Sequence, residues 1–192
     1  MRRRKAFPSR CRISDDMIRP IAALMLLASC CLAQSVTRTY TIKGRTIVFQ
    51  ATTFADPLQI TESNGALDQS TPVNCLRLAW SRLKAMDLES ASQLSLDPKG
   101  ELELRTKHRQ RVGEAMFREL SSKIIEKAPR FTHELMLRHE HALVSENGFV
   151  VLFRWKDGKF FLETIETAKA DADATDLNTV ANALTDGKLR IE

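Results

Sequence analysis

Cysteine is nearly absent from the part of this chain that folds. Of four cysteines, Cys11, Cys30 and Cys31 lie near the N-terminus, and only Cys75 lies further on. A disulfide-stapled fold is thereby excluded, and stability must come from buried apolar surface. Long apolar runs are missing too. The run from Ile21 to Ala33 spans 13 residues, against the ~20 that a membrane-crossing helix needs. Excess charge is absent once the first segment is set aside. Seven of the 29 Lys and Arg and two of the 24 acids precede Gln34, which leaves 22 of each and a formal charge of zero. A neutral body argues against a nucleic-acid partner, which would need a basic surplus. There is no internal repeat, no Gly-rich phosphate loop and no serine in a Gly-x-Ser-x-Gly elbow, so phosphate-cradling and serine-hydrolase chemistry have no foothold.

What is present first reads as an export leader. Arg19 precedes the apolar run, and small residues suited to cleavage follow it. The basic stretch before Met17 is long for a signal, so Met17 is an alternative start. Arg2-Arg3-Arg4 lacks the Phe and Leu that follow a twin-arginine pair. Two cleavage modes compete. Leu27-Ala28-Ser29-Cys30 resembles the bacterial lipoprotein signal, in which the Cys30 thiol is acylated and becomes the new N-terminus. An ordinary signal peptidase would instead cut after Ala33, with Cys31 and Ala33 at the recognition positions. The first mode anchors the body to a membrane surface, and the second leaves it free in the periplasm of a Gram-negative-type bacterium.

The body is long enough for one domain with its own core. Residues 36 to 51 are rich in Thr, Val, Ile and Tyr around Lys43-Gly44. They predict a β-hairpin with Val36, Tyr40 and Ile42 on one face. Asp56-Pro57 and Asn64-Gly65 predict a loop over 52–70, with one short strand at Leu58 to Thr61. Thr71-Pro72 is a helix start. Val73, Leu76, Trp80 and Leu83 then mark a buried stripe. Asp87 can cap a short helix from Leu88 to Leu94. A third helix is expected from Glu101 to Lys127, with Val112, Met116, Leu120 and Ile124 spaced by four and Phe117 and Ile125 widening the face. Its first part, around Arg105 to Arg111, reads as exposed or irregular, and Pro129 stops it.

From Phe131 the period changes to two. Phe131–Arg138, Ala142–Ser145, Phe149–Trp155 and Phe160–Thr167 read as an antiparallel meander, with tight turns at Asn147-Gly148 and Asp157-Gly158. Ala168 to Asp173 reads as a linker. A last amphipathic helix is expected from Asp176 to Thr185, ended by Gly187. Four segments follow: a leader over 1–33, a hairpin and loop over 34–70, an α+β unit over 71–167, and a linker and helix over 168–192.

The helix opening at Pro72-Val-Asn-Cys and closing on Asp87, the helix at Arg111-Val-Gly-Glu-Ala-Met-Phe, and the hairpin from Gly148-Phe-Val-Val-Leu-Phe to Lys159-Phe-Phe-Leu together resemble the nuclear transport factor 2-like, or cystatin-like, superfamily. The resemblance covers residues 71–167. It implies an α+β fold in which a curved antiparallel meander wraps the helices as a cone and leaves a pocket. Two departures stand out: β and loop sequence precede the first helix, and a terminal helix is appended where it would plug the cone. Some members place acid and base groups in the pocket, as in ketosteroid isomerases and scytalone dehydratase. Many others are non-catalytic binding or dimerisation modules, so fold alone does not give function.

The residues offer little chemistry. His133, His139 and His141 are the only candidate metal cluster, since on a continuous strand they would share a face. Exposed turn histidines are the plainer reading, and no metal or other cofactor is expected. An isomerase site would need a carboxylate base and a buried phenol or acid. The one tyrosine, Tyr40, lies in the added hairpin, while Asp87, Glu134 and His108 have ordinary roles as cap, strand edge and solvated helix. Cys75 reads as a small buried thiol. Trp80, Phe117, Phe149, Phe153 and Trp155 are candidates for a pocket or an interface. The strand from Phe149 to Trp155 is apolar on nearly both sides, which asks for two covers or a dimer contact. The expectation is an exported, non-enzymatic binding or interaction module, contacting a protein partner, a second copy or a small apolar ligand. A periplasmic pocket enzyme of isomerase or dehydratase type, or a ligand carrier, is the alternative.

Overall fold

Side chains branched at Cβ favour extended backbone, and they crowd the first described segment. In the computed structural model, which describes residues 35–61, 67–126 and 129–191, this segment forms β1 (Ser35–Ile42) and β2 (Arg45–Gln59), paired antiparallel. β2 runs further than its sequence suggests. Part of the expected loop continues as strand, with a register shift against β3 (Arg130–Leu137) between Thr53 and Leu58. Asp56-Pro57 falls inside that irregularity, where a residue without an N–H costs no ladder bond to β3. The expected leader with Cys30 and its two expected cleavage points, and the turn expected at Asn64-Gly65, fall outside the described residues.

Each of the next three helices begins on a side-chain cap. Thr71 Oγ1 accepts the Asn74 N–H at the start of α1 (Pro72–Lys84), and Asp87 does the same for Ser90 in α2 (Leu88–Ser92). Asp97 accepts the Gly100 N–H at the start of α3 (Pro98–Val112). The expected single helix from 101 to 127 is two. Gly113, at φ 85° and ψ 154°, separates α3 from α4 (Glu114–Glu126). α3 is regular despite burying no residue fully. Its cap and the Glu101–Arg105 and Glu103–Lys107 pairs, one helical turn apart, stand in for a buried stripe. The break also resets the helical phase. Phe117 and Ser121 face inward on α4, whereas Met116 and Leu120, expected in the core, stay exposed. The side chains of Ile124 and Ile125 lie outside the described set.

The sheet has six strands in simple order, β1-β2-β3-β4-β5-β6, all antiparallel. β4 is Glu140–Ser145, β5 is Val150–Lys156 and β6 is Lys159–Leu162. The hairpin is therefore not an appendage, because β2 pairs with β3. The expected strand to Thr167 ends early. Thr164 forms a capping box with Thr167 and starts α5 (Ile165–Ala170), where a strand end and linker were expected. Asp171 then caps α6 (Ala172–Thr185). These elements belong to one compact unit, Ala33–Glu192. No helix among the described residues is long and apolar enough to cross a membrane.

Alternation along the strands gives the sheet two apolar faces. On one, Phe131, Leu143, Phe153 and Phe160 pack against Cys75, Leu76, Trp80 and Leu83 of α1, Leu88 and Ala91 of α2, and Phe117 of α4. On the other, Ile47, Phe49, Ala51, Leu135, Ala142 and Val144 pack against Leu177, Val180 and Ala181 of α6. The α+β expectation holds, as a sheet between two helical layers. It also removes the puzzle of β5. Val151 and Phe153 meet the first layer, Val150 and Leu152 meet α6, and both faces of the strand are covered from within the chain.

Candidate functional site

Between the sheet and α1–α4, where the resemblance implied a pocket, the space is filled by Phe, Leu and Trp side chains. Trp80, Phe117 and Phe153 are core residues there rather than the walls of an internal pocket. Phe149 and Trp155 remain 47% and 37% exposed. Phe149 borders a shallow cavity of about 310 Å³ with Leu152, Thr164 and Ala168. Trp155 rests against Phe160, with ring centroids 4.7 Å apart.

Among the described residues, the exposed side chains of Leu104, Met116 and Leu120 lie on the first helical layer, while Val48, Leu67, Phe149 and Trp155 are exposed elsewhere. The α3–α4 break sets the two helices side by side, α4 against α1 and α3 against α2, and leaves a cleft of about 390 Å³. Leu83, Leu104, Phe117 and Leu120 line it, joined by Arg105, His108, Glu101 and Ser121. Leu104 is 60% exposed, Leu120 41% and neighbouring Met116 49%. The His108 ring meets the edge of Phe117 at 5.7 Å. Arg105 pairs with Glu101, yet its Nε is buried without a hydrogen-bond partner. The cleft is thus an open apolar surface with the Arg105–Glu101 ion pair in its wall. The sequence marked Phe117 in it but missed Leu104 and Leu120, whose exposure depends on the phase reset at Gly113.

A second constellation is charged. Glu140 opens β4 directly opposite Arg154 on β5. The Arg154 Nε donates to Glu140 Oε1 at 2.6 Å, and its Nη2 lies 2.9 Å from both Glu163 Oε1 and Asp171 Oδ2. One guanidinium thus serves three carboxylates. Glu140 is only 4% exposed, and its Oε2 has no hydrogen-bond partner. Burial, and then the charge of Glu163, push the Glu140 carboxyl up to about 7. Burial also raises Glu163. Because Asp171 caps α6 and Glu163 Oε2 accepts from Thr167 of α5, the cluster ties the C-terminal helices to the sheet. Nothing in the sequence pattern singled it out.

The histidines do not assemble. His133 pairs in register with Val144, and His141 with Met136, which puts their side chains on opposite faces of the sheet. His141 is no exposed turn residue. It lies within β4, its Nδ1 is 2.9 Å from Glu134 Oε1, and its ring meets Phe160 edge-on at 4.8 Å. Burial holds His133 below the usual imidazole range. His139 sits in the turn between β3 and β4. Among the described residues, no group of three His, Cys, Asp or Glu side chains is arranged to hold a metal ion.

The groups weighed for isomerase chemistry are dispersed as well. Tyr40 packs toward the α6 side of the sheet, Asp87 caps α2, Glu134 is engaged with His141, and His108 belongs to the α3–α4 cleft. Cys75 is fully buried, and its Sγ lies 3.3 Å from the Phe160 carbonyl oxygen. Burial pushes that thiol up to about 12, so it stays protonated and unreactive at neutral pH. Comparison with protein-family models, with curated proteins and with solved structures gives no match for this chain.

Proposed function

We propose that this chain is an exported, non-enzymatic binding module of the bacterial cell envelope that takes apolar groups in the cleft between α3 and α4. One observation carries the reading. Apolar side chains close the space under the helices, while Leu104, Met116 and Leu120 stay exposed around a separate, open cleft. Exposed apolar surface gathered in one place marks a contact site more often than singly scattered residues do. The dispersal of Tyr40, Asp87, Glu134 and His108 supports binding over acid–base chemistry, which needs its groups within hydrogen-bond reach of one substrate. The leader pattern supports export, with acylation at Cys30 as the anchor. Within this reading the sheet and helices form a nuclear transport factor 2-like arrangement whose usual pocket is occupied by its own core.

The test is titration of the full chain, purified from an exporting host, with the fluorescent apolar probe N-phenyl-1-naphthylamine. The probe should bind with enhanced emission, and Leu104→Asp with Leu120→Asp should weaken that binding at least roughly tenfold, as expected from losing two apolar walls, with the thermal midpoint unchanged. Binding that survives the double substitution would place the apolar site elsewhere and overturn the reading.

A further inference from the structure

The two edges of the sheet are treated differently. β6 has four residues and is covered: the Leu162 N–H donates to the Leu94 carbonyl at 2.8 Å, and the Leu96 N–H donates to the Leu162 carbonyl at 3.1 Å. β1 has eight residues, pairs without a bulge along its whole length, and bonds through its backbone only to β2 among the described residues. Natural sheets blunt such an edge with proline, a bulge, a short strand, a covering segment or an inward-pointing charge. Among the described residues β1 has only the last of these, Arg38 on the half-buried face it shares with Tyr40 and Ile42. Its sequence, Ser-Val-Thr-Arg-Thr-Tyr-Thr-Ile, consists almost entirely of good strand formers. Among the described residues, α6 makes its main sheet contacts with β3, β4 and β5, and on β1 the C-terminal cluster reaches Tyr40 and Ile42 through their side chains.

The turn fixes which groups are free. Lys43 and Gly44 both have positive φ, 49° and 77°, and Ile42 lies opposite Arg45. A two-residue turn of this kind makes its flanking pair a doubly hydrogen-bonded one. Alternation then directs the N–H and C=O of Ile42, Tyr40, Arg38 and Val36 to β2, and those of Thr41, Thr39, Thr37 and Ser35 outward. These last four residues also have exposed side chains.

We infer that β1 is a self-association edge, pairing antiparallel with β1 of a second copy about a two-fold axis at Thr39 and joining the two sheets into one. The sequence is self-complementary in that register. Thr39 meets Thr39, Thr37 meets Thr41, Val36 meets Ile42, and Arg38 meets Tyr40, a cation beside an aromatic face. Roughly six backbone hydrogen bonds close the seam. Moving the axis to Arg38 would add two bonds but set Arg38 against Arg38, and like charges directly opposite one another disfavour pairing. A second copy fits this edge because the register sets Thr against Thr and aliphatic against aliphatic, with no like charges directly opposite. This edge is separate from the α3–α4 cleft.

The experiment is multi-angle light scattering and native mass spectrometry of the full chain, up to roughly 0.5 mM because an interface this small associates weakly. A dimer is expected that is lost in Thr39→Pro, whose missing N–H points away from β2, and kept in Thr39→Val. The register is read by mixing Thr37→Lys with Thr41→Glu. Their heterodimer should exceed either homodimer by roughly fourfold, against the twofold of random pairing, since that register alone sets Lys opposite Glu. If Thr39→Pro fails to fold, the charge-swap mixture decides. A monomer throughout, a dimer indifferent to Thr39→Pro and to the charge swap, or a different protein seated on β1 would each overturn the inference.

Discussion

Glu140 and Arg154 face each other across β4 and β5 with a 2.6 Å hydrogen bond, and the guanidinium is shared with Glu163 and Asp171. The cluster holds more acid than one cation neutralises, in a place where burial penalises charge. Its consequence is a pH dependence of stability. Unfolded, a glutamate titrates near 4.5; folded, Glu140 titrates near 7. Between those values the folded chain holds more protons than the unfolded one, so stability falls as pH rises. The favourable contribution is complete below about 4.5 and lost as pH passes 7. Glu163, also raised, acts in the same sense. Burial of His133, which lowers its pKa, acts in the opposite sense, so Glu140 is read by difference: between pH 5 and pH 8 the thermal midpoint of the native chain should fall relative to that of Glu140→Gln. At ~2–4 °C per kcal/mol for a chain of this size, calorimetry resolves the difference. An equal slope in both proteins would remove Glu140 as a source of the pH dependence.

The second helical layer is a requirement of the sheet. Leu177, Val180 and Ala181 of α6 are fully buried against Phe49, Leu135 and Val144. Leu177→Asp would bury an unpaired charge, at a cost of more than ~3 kcal/mol. Loss of the cooperative transition and insolubility are expected. Leu104→Asp, at an exposed position, should leave the transition within about 0.5 kcal/mol of the native one. Equal melting of the two variants would mean that α6 does not close the core.

The sequence made the elements legible, and much less of how they meet. Thr71-Pro72, Asp87 and Asp97-Pro98 announced helix starts, because caps are local chemistry. The alternation after Phe131 announced strands for the same reason. Register was not legible. Asn147-Gly148 reads as a two-residue turn, yet the Gly148 N–H bonds the Ser145 carbonyl and the Ser145 N–H bonds the Phe149 carbonyl, which makes a three-residue loop with Gly148 at φ 80°. That one-residue difference decides which side chains lie opposite one another. It is why Glu140 and Arg154 did not announce themselves as a pair. The cleft was hidden for a related reason, since a single glycine changed which faces of α3 and α4 look outward.

Separation of the histidines by the β3–β4 register makes a definite statement about zinc. With His133 and His141 on opposite faces and His141 held by Glu134, a His139→Ala, His141→Ala double variant should retain the same amount of zinc after dialysis as the native chain. Elemental analysis of both proteins measures it. Retention that drops to zero in the variant would show that the histidines meet after all.

Gly113 controls the cleft through its backbone alone. A Cβ placed there would meet no heavy atom within 4 Å, so crowding is not what excludes other residues. Its φ of 85° with ψ of 154° is a region open essentially to glycine alone. Gly113→Ala must either carry about 1–3 kcal/mol of backbone strain or let the α3–α4 junction relax. Relaxation would turn Leu104 and Leu120 relative to each other, because each belongs to a different helix. The variant is expected to melt lower and also to bind the naphthylamine probe more weakly. Leu67→Ala, which changes an exposed side chain outside the cleft, should do neither. If Gly113→Ala lowered stability while probe affinity stayed the same, the junction would hold its geometry under strain, and the cleft would owe its shape to packing on α1 rather than to the break.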